Sequence, residues 1–265
     1  MAIRHLLPRA VSARLFGDRA RYGLVAQTDD PAWAEWQRIF PDFYFATQRR
    51  SIGKIVNDAG YEVMSRIALS GRTVLEVGPG QINHIGRWRS TPRLYVLADV
   101  QQSMLDLSSR TLAQRGITHQ CALLRRSDGG VLPFNDETFD VVVSFYTLEH
   151  LYPLAPHIDD MLRVLKPGGI FAGAIPAEGG LGWGIGRYVT TRRWFLRNTS
   201  INPDKLICWE HPNFADHVLR TLDDRMDCRY ARFWPLGIRS IDLNLVITFI
   251  YSKRHGHAPK DHGVA

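Results

Sequence analysis

Cysteine is scarce in this 265-residue chain: Cys121, Cys208 and Cys228 are odd in number and far apart. They match neither a disulfide framework nor a paired zinc-ligand pattern, so a metal site is not expected and a reducing cytoplasm is the simplest home. Also missing is any run of roughly 18 uncharged apolar residues, the length a membrane-crossing helix needs. The longest candidate, Leu243 to Tyr251, has the length of a strand, and the chain reads as soluble or peripheral to a membrane. Massed charge is absent too. Lys and Arg number 33 against 26 Asp and Glu, a formal net charge of +7, but the basic residues are scattered, which permits anionic partners without singling out nucleic acid. What is present is ordinary globular composition, 45% hydrophobic and 22% charged, which excludes a largely disordered chain.

Met1 to Tyr22 carry five arginines and one acid, with Ile3, Leu6, Leu7, Val11, Leu15 and Phe16 at roughly helical spacing. A helix docked on its own domain accounts for this pattern; so does an amphipathic segment making weak contact with an anionic membrane. Arg4, Arg9 and Arg14 break any secretory core. Asp29-Asp30-Pro31 then signals a helix start, with Trp33, Trp36, Ile39 and Phe40 on one face, and a second helix runs through Ile55, Val56, Val63 and Ile67. Residues 1–70 are thus expected to form a helical extension covering the main domain's pocket.

From Arg72 strands and helices alternate, the pattern of a parallel sheet covered on both faces. Strands are expected at Thr73–Val77, Leu94–Ala98, Cys121–Arg125, Val141–Phe145 and Ile170–Ile175, with helices filling the gaps and Pro167-Gly168-Gly169 stopping one of them. An insert, 177–213, breaks the rhythm just after the fifth strand. After a helix near Phe214–Leu222 come two more strands, Cys228–Trp234 and Leu243–Tyr251, paired antiparallel through a short link. The main domain is therefore 71–254, and 255–265, with His255, His257 and His262, reads as a disordered tail.

The centre of the pattern is Val74-Leu-Glu-Val-Gly-Pro-Gly80, a buried strand that breaks into a glycine turn. Nicotinamide, flavin, nucleotide and S-adenosylmethionine sites all use such turns. A dinucleotide fingerprint wants a third glycine where Asn83 stands. Glu76 is more informative: a carboxylate there repels a pyrophosphate and favours the cationic S-adenosylmethionine. Asp99 ends the second strand, where an acid can accept both ribose hydroxyls, and Asp128 follows the third.

These residues resemble class I S-adenosylmethionine-dependent methyltransferases, in particular the small-molecule branch around the ubiquinone and menaquinone biosynthesis enzymes, with a methyltransferase type 11 domain. The resemblance runs from Arg72 to Gly173 through Val74–Gly80, Asp99, Asp128 ahead of Leu132-Pro133-Phe134, Phe139-Asp-Val-Val-Val-Ser144, Leu148-Glu149-His150 and Leu165-Lys-Pro-Gly-Gly169. It implies a Rossmann-like α/β fold with a seven-stranded, mostly parallel sheet, an antiparallel last pair, and S-adenosylmethionine as cofactor. Gly78, Pro79 and Gly80 would line its methionine portion near Glu76; Asp99 would hold the ribose. Val100 and Met104 would flank the adenine, Asp128 and Gly129 would read its edge, and Ser144 and Phe145 would complete the pocket. Ile82 departs from the family's further glycine, and this opens a second reading, a non-catalytic binding module.

For methyl transfer the protein mainly aligns nucleophile, methyl and sulfur, with a base needed only for some acceptors. By position the candidates are His150 and Tyr146 after the fourth strand and His211 past the insert. Arg187, Arg192, Arg193 and Arg197, interleaved with Trp183, Tyr188 and Trp194, suggest an anionic acceptor or else a solvated basic face. Base-amine methylation of nucleic acid would bring an Asn/Asp-Pro-Pro-aromatic motif where Ser144-Phe-Tyr-Thr147 stands. The expected activity is transfer to a small molecule, glycan or lipid-linked intermediate in the cytoplasm, some of it at the membrane periphery.

Overall fold

The computed structural model describes residues 2–49, 51–125 and 130–254; Asp128, Gly129 and the tail histidines lie outside the described residues. Seven strands, β1 (Thr73–Val77), β2 (Leu94–Asp99), β3 (His119–Leu123), β4 (Phe139–Phe145), β5 (Leu165–Pro176), β6 (Met226–Trp234) and β7 (Val246–Lys253), form one sheet. Its order is β3-β2-β1-β4-β5-β7-β6. The first five strands pair parallel, and β7 runs antiparallel to both β5 and β6. The order reverses at β1 and β4, so the ligand crevice falls outside their carboxyl ends.

Alternation along the central strands builds a core on each face. In β4, Val142 joins one core cluster with Leu75, Val77, Val96 and Ala98. Val141, Val143 and Phe145 join the other with Val74, Tyr95 and Leu97. Glu76, two residues from Val74, therefore projects from the second face, the side where Tyr95 lies. Burial on both faces explains why these strands read as unbroken apolar runs.

Helices α5 (Gln102–Gln114) and α6 (Leu154–Val164) follow β2 and β4 as their apolar periodicity requires. Two gaps differ from expectation. Between β1 and β2 the chain makes only a 3-10 turn at Ile85–Arg87, and among the described residues no helix joins β3 to β4. In the first gap aromatic side chains replace the helix: Trp88 stacks on Tyr95, with ring centroids 4.9 Å apart. Asn83, Gly86 and Pro92 in that segment are poor helix formers. Pro167-Gly168-Gly169 is also not a stop before the strand. It lies inside β5, where pairing with β4 jumps from Phe139↔Leu165 to Val141↔Ile170 and the extra residues bulge out.

The insert folds as α7 (Leu181–Val189), α8 (Thr191–Asn198) and α9 (Pro203–Glu210), after which α10 (Ala215–Arg225) leads into β6. The N-terminal segment docks on it. Phe16, at the end of α1 (Arg9–Phe16), is buried against Gly184 of α7, where a Cβ would lie 2.5 Å from its ring. Arg187 of α7 donates to the carbonyls of Arg14 and Leu15 at 2.8 and 3.1 Å, capping α1. After α2 (Arg19–Tyr22), helix α3 (Pro31–Arg49) starts at the proline expected of it. Its aromatic face packs on the insert, Trp36 joining Phe195, Ile201 and Leu206. Helix α4 (Ser51–Tyr61) completes the extension.

Candidate functional site

The loop after β1 leaves the sheet through Gly78 (φ +69°) and Gly80 (φ +53°). Both lie in the left-handed region that glycine adopts without strain. A Cβ at Gly78 would also meet Thr147 Oγ1 at 2.3 Å, so this loop and the turn after β4 touch. Thr147 donates to the Gly78 carbonyl at 3.2 Å, and Ser108 of α5 donates to the Gly80 carbonyl at 2.6 Å. Ser144, fully buried, donates to Val77 O at 3.2 Å. Asp99, at the end of β2, accepts from the Gln101 backbone at 2.8 Å. Met104 and Phe145 are buried nearby in sequence, and Val100 is exposed.

Glu76 is not turned toward the open side of the loop. It is buried, and both carboxylate oxygens are engaged: His84 Nε2 donates to Oε1 at 2.9 Å and Tyr95 Oη to Oε2 at 2.7 Å. Trp88 Nε1 donates to His84 Nδ1 at 3.0 Å, which fixes the imidazole as the neutral Nε2–H tautomer. Burial and the facing carboxylate push the Tyr95 hydroxyl pKa well up, so it stays a donor. Glu76's charge therefore acts on a ligand only from a distance. Ile82 is buried in the same core as Tyr61, Tyr95 and Phe145, its bulk turned into the protein.

The turn after β4 brings together two of the three catalytic candidates. Asn213, just past the insert, donates through Nδ2 to the carbonyls of Leu148 and Leu151 at 2.9 and 2.5 Å, and through its backbone to Glu149 O at 3.2 Å. This pins the end of the insert to the turn. His150 and His211 meet edge to face, with ring centroids 4.7 Å apart. His150 Nδ1 donates to Glu210 O at 2.5 Å and His211 Nδ1 to Glu178 Oε2 at 2.8 Å. Each acceptor can only accept, so both rings carry a proton on Nδ1, which leaves Nε2 as the nitrogen that a neutral ring would use as a base.

Glu178 stands two residues past the end of β5, 0% exposed. Burial alone would raise its pKa, but the His211 hydrogen bond, the charge His211 carries when protonated, and the charges of Arg19 and Arg187 outweigh it and hold the carboxyl below its ordinary value. Trp183 Nε1 donates to the same Oε2 at 2.6 Å. Glu149, also buried, is pushed up to about 7 by burial against the opposing pull of His150. Oxygens Glu178 Oε1 and Glu149 Oε2 are buried with no hydrogen-bond partner among the described residues, an arrangement native proteins tolerate mainly at functional sites.

Tyr146 does not join this cluster. At φ +54°, its hydroxyl donates to Asn57 O and Val56 O of α4 at 2.9 and 3.2 Å, so it fastens the extension to the sheet. The insert arginines also divide. Arg187 is buried on backbone carbonyls, and Arg192 makes a two-point bond with Asp204 at 2.9 Å; Arg193 and Arg197 are exposed. Sequence reasoning passed over Glu178, Glu149 and Asn213. Glu178 had a visible signal, an acid between an apolar strand and Gly179-Gly180, the same grammar as Glu76 before Gly78.

The sheet order, the glycine turn after β1 and the acid ending β2 define a class I methyltransferase fold. Residues 75–173 match the family model of a methyltransferase domain. A "Probable S-adenosylmethionine-dependent methyltransferase" of Mycolicibacterium smegmatis is 33% identical over 109 residues, 40% of this chain and 39% of that protein. The ubiquinone/menaquinone biosynthesis C-methyltransferase UbiE of Idiomarina loihiensis is 39% identical over 74 residues, 28% of this chain and 29% of that protein. The match thus spans well under half the length of either curated relative. The crystal structure of the N-methyltransferase NodS from Bradyrhizobium japonicum, in complex with S-adenosyl-L-homocysteine, superposes with a TM-score of 0.55 at 17% identity, covering 85% of this chain and all of that one. The family implies S-adenosylmethionine as methyl donor. The loop fits such a group: a Cβ at position 78 would clash with Thr147, position 80 takes a left-handed φ of +53°, and the Asp99 carboxylate stands at the neighbouring strand end.

Proposed function

We propose that the chain is an S-adenosylmethionine-dependent methyltransferase acting on a small-molecule, glycan or lipid-linked acceptor, and that the methylated group is a hydroxyl held beside His211. The observation that carries this reading is the Glu178–His211 pair at 2.8 Å, joined through the turn 147–150 to the glycine loop. Bound S-adenosylmethionine would supply an electrophilic methyl group, with Gly78, Gly80, Asp99, Val100 and Met104 holding it and Pro79, Ser144 and Phe145 shaping the wall.

An unactivated hydroxyl is a poor nucleophile and must lose its proton as it attacks. His211 Nε2 receives that proton. Glu178 keeps the imidazole in the correct tautomer and stabilises the imidazolium, the role a buried carboxylate plays behind a histidine base. His150, presenting its own Nε2 alongside, forms a second wall of the acceptor site. The non-catalytic alternative rests on Ile82 and on the lack of an obvious base; the Ile82 side chain packs in the core.

Isothermal calorimetry with S-adenosylmethionine is the first test. Micromolar binding is expected, weakened about tenfold or more in Asp99→Ala through the lost charged hydrogen bonds. Absence of binding by the intact protein removes the reading. The acceptor would then be sought by mass spectrometry of cells lacking the protein, as a species lighter by one methylene.

A further inference from the structure

Three chain segments far apart in sequence meet at one buried carboxylate, Asp242. Its Oδ2 accepts from the backbone of Ile3 at 3.0 Å and its Oδ1 from Leu181 at 3.1 Å, while its carbonyl accepts from Gly182 at 2.8 Å. The N-terminal segment, the start of α7 and the β6–β7 connection are thereby fixed side by side. Apart from Asp242, residues 2–17, 179–203 and 228–254 contain no acidic residue. Arg14 and Arg239 among them are exposed; Arg9 is exposed too and pairs with Asp18 at 3.3 Å.

The same segments hold nine of the fifteen exposed large apolar side chains among the described residues. Two stand at the tip of the β6–β7 connection, Leu236 at 58% and Ile238 at 54% exposed, next to Leu243 at 49%; Leu6 is at 75%. The tip is not a loose loop. Buried Asn244 accepts from the Leu236 backbone at 2.9 Å and donates to the carbonyls of Ile238 and Ser240 at 2.9 and 2.7 Å. Its apolar side chains are therefore held outward before any partner arrives, and the ordering cost of binding is reduced.

We infer that this face docks on an anionic phospholipid surface, with Leu6, Leu236, Ile238 and Leu243 entering the headgroup boundary and the surrounding arginines meeting lipid phosphates. Charge decides the occupant. Segments whose exposed side chains are apolar or basic, and whose one acid, Asp242, is buried, repel a second copy of themselves and attract an anionic bilayer. No described helix is long and apolar enough to cross a membrane, and surface docking requires none. The face adjoins α7, whose residue Trp183 holds Glu178, so a lipid-linked acceptor would reach the histidine pair from the bilayer side. The inference does not depend on methyl transfer, because docking needs neither donor nor acceptor.

The test is flotation of the full chain with phosphatidylcholine vesicles, with and without a third of phosphatidylglycerol, at low and high salt. Binding is expected with the anionic lipid at low salt and lost at high salt. Leu236→Asp/Leu243→Asp should lower partitioning about tenfold or more per site. Leu123→Asp, on the opposite edge of the sheet, should leave it unchanged. Should the double variant fail to fold by near-ultraviolet circular dichroism, Arg14→Ser/Arg239→Ser serves instead, with a loss of about fivefold per arginine confined to anionic vesicles. Equal binding to neutral vesicles, no flotation, or a concentration-dependent dimer in ultracentrifugation that the double variant abolishes would each overturn the proposal.

Discussion

Glu76 and Glu178 are the same device built twice and left in different states. Each is a buried glutamate within two residues of the end of a sheet strand, before a pair of glycines, bonded to one histidine ring and one aromatic donor. Under the glycine loop the device is closed. Both oxygens of Glu76 are used, and His84, 1% exposed, has both ring nitrogens bonded inside the protein. At the insert it is open. Glu178 keeps one oxygen without a hydrogen-bond partner among the described residues, and the His211 side chain is 20% exposed. The difference teaches that burial of a carboxylate–histidine pair does not by itself make a site; what matters is whether the second nitrogen faces the protein or the acceptor.

The largest expected effect separates the two histidines. His211→Ala should slow methyl transfer by about 10²- to 10⁴-fold and cost about 2–3 kcal/mol of stability, because it takes a donor from buried Glu178. His84→Ala should cost stability in the same way while leaving the transfer rate nearly unchanged. Methyl incorporation from labelled donor into a cell-extract acceptor pool, set beside urea unfolding, measures both, and equal behaviour of the two variants would dissolve the distinction. Next comes Glu76→Ala, which strands the His84 and Tyr95 donors in the core and should cost about 3–5 kcal/mol in urea unfolding; a loss under 1 kcal/mol would mean that the closed network is not structural.

Glu149 sharpens the open side. Its carboxyl is raised from an ordinary 4.5 to about 7, so between those values the folded protein holds a proton that the unfolded chain has released. The group therefore favours folding most at acid pH, and that contribution falls as pH rises toward 7. Glu149→Gln should be more stable than the parent by about 2–3 kcal/mol at roughly pH 8, with the gain fading toward the unfolded value. A gain independent of pH would place the cause elsewhere. The smallest effect is Trp183→Phe, which removes one of the two donors on Glu178 and should cost about 1–2 kcal/mol, checked by thermal melting.

Much of the fold was legible because its signals are local. Apolar runs ending in Gly78, Asp99 and Phe145 placed β1, β2 and β4 nearly to the residue, since strands buried on both faces cannot hide a polar interruption. The missing helix between β1 and β2 was not legible. Trp88 stacking on Tyr95 is a long-range contact that overrides the usual strand–helix rhythm. The same holds for the candidate site. Glycine-loop positions follow from turn chemistry, whereas the meeting of His150 with His211 depends on Asn213, an unremarked residue in His-Pro-Asn whose role exists only once the insert is folded back. Glu76 carried correct information about strand and loop, yet the structure gives its charge to Tyr95 and His84.

Asn213 also has a kinetic meaning. Because one side chain bonds two carbonyls of the turn after β4 while its backbone holds a third, the end of the insert and that turn cannot open independently. Their amides should exchange with solvent as one cooperative unit with a common opening free energy, and an arriving acceptor would meet a wall that moves whole or not at all.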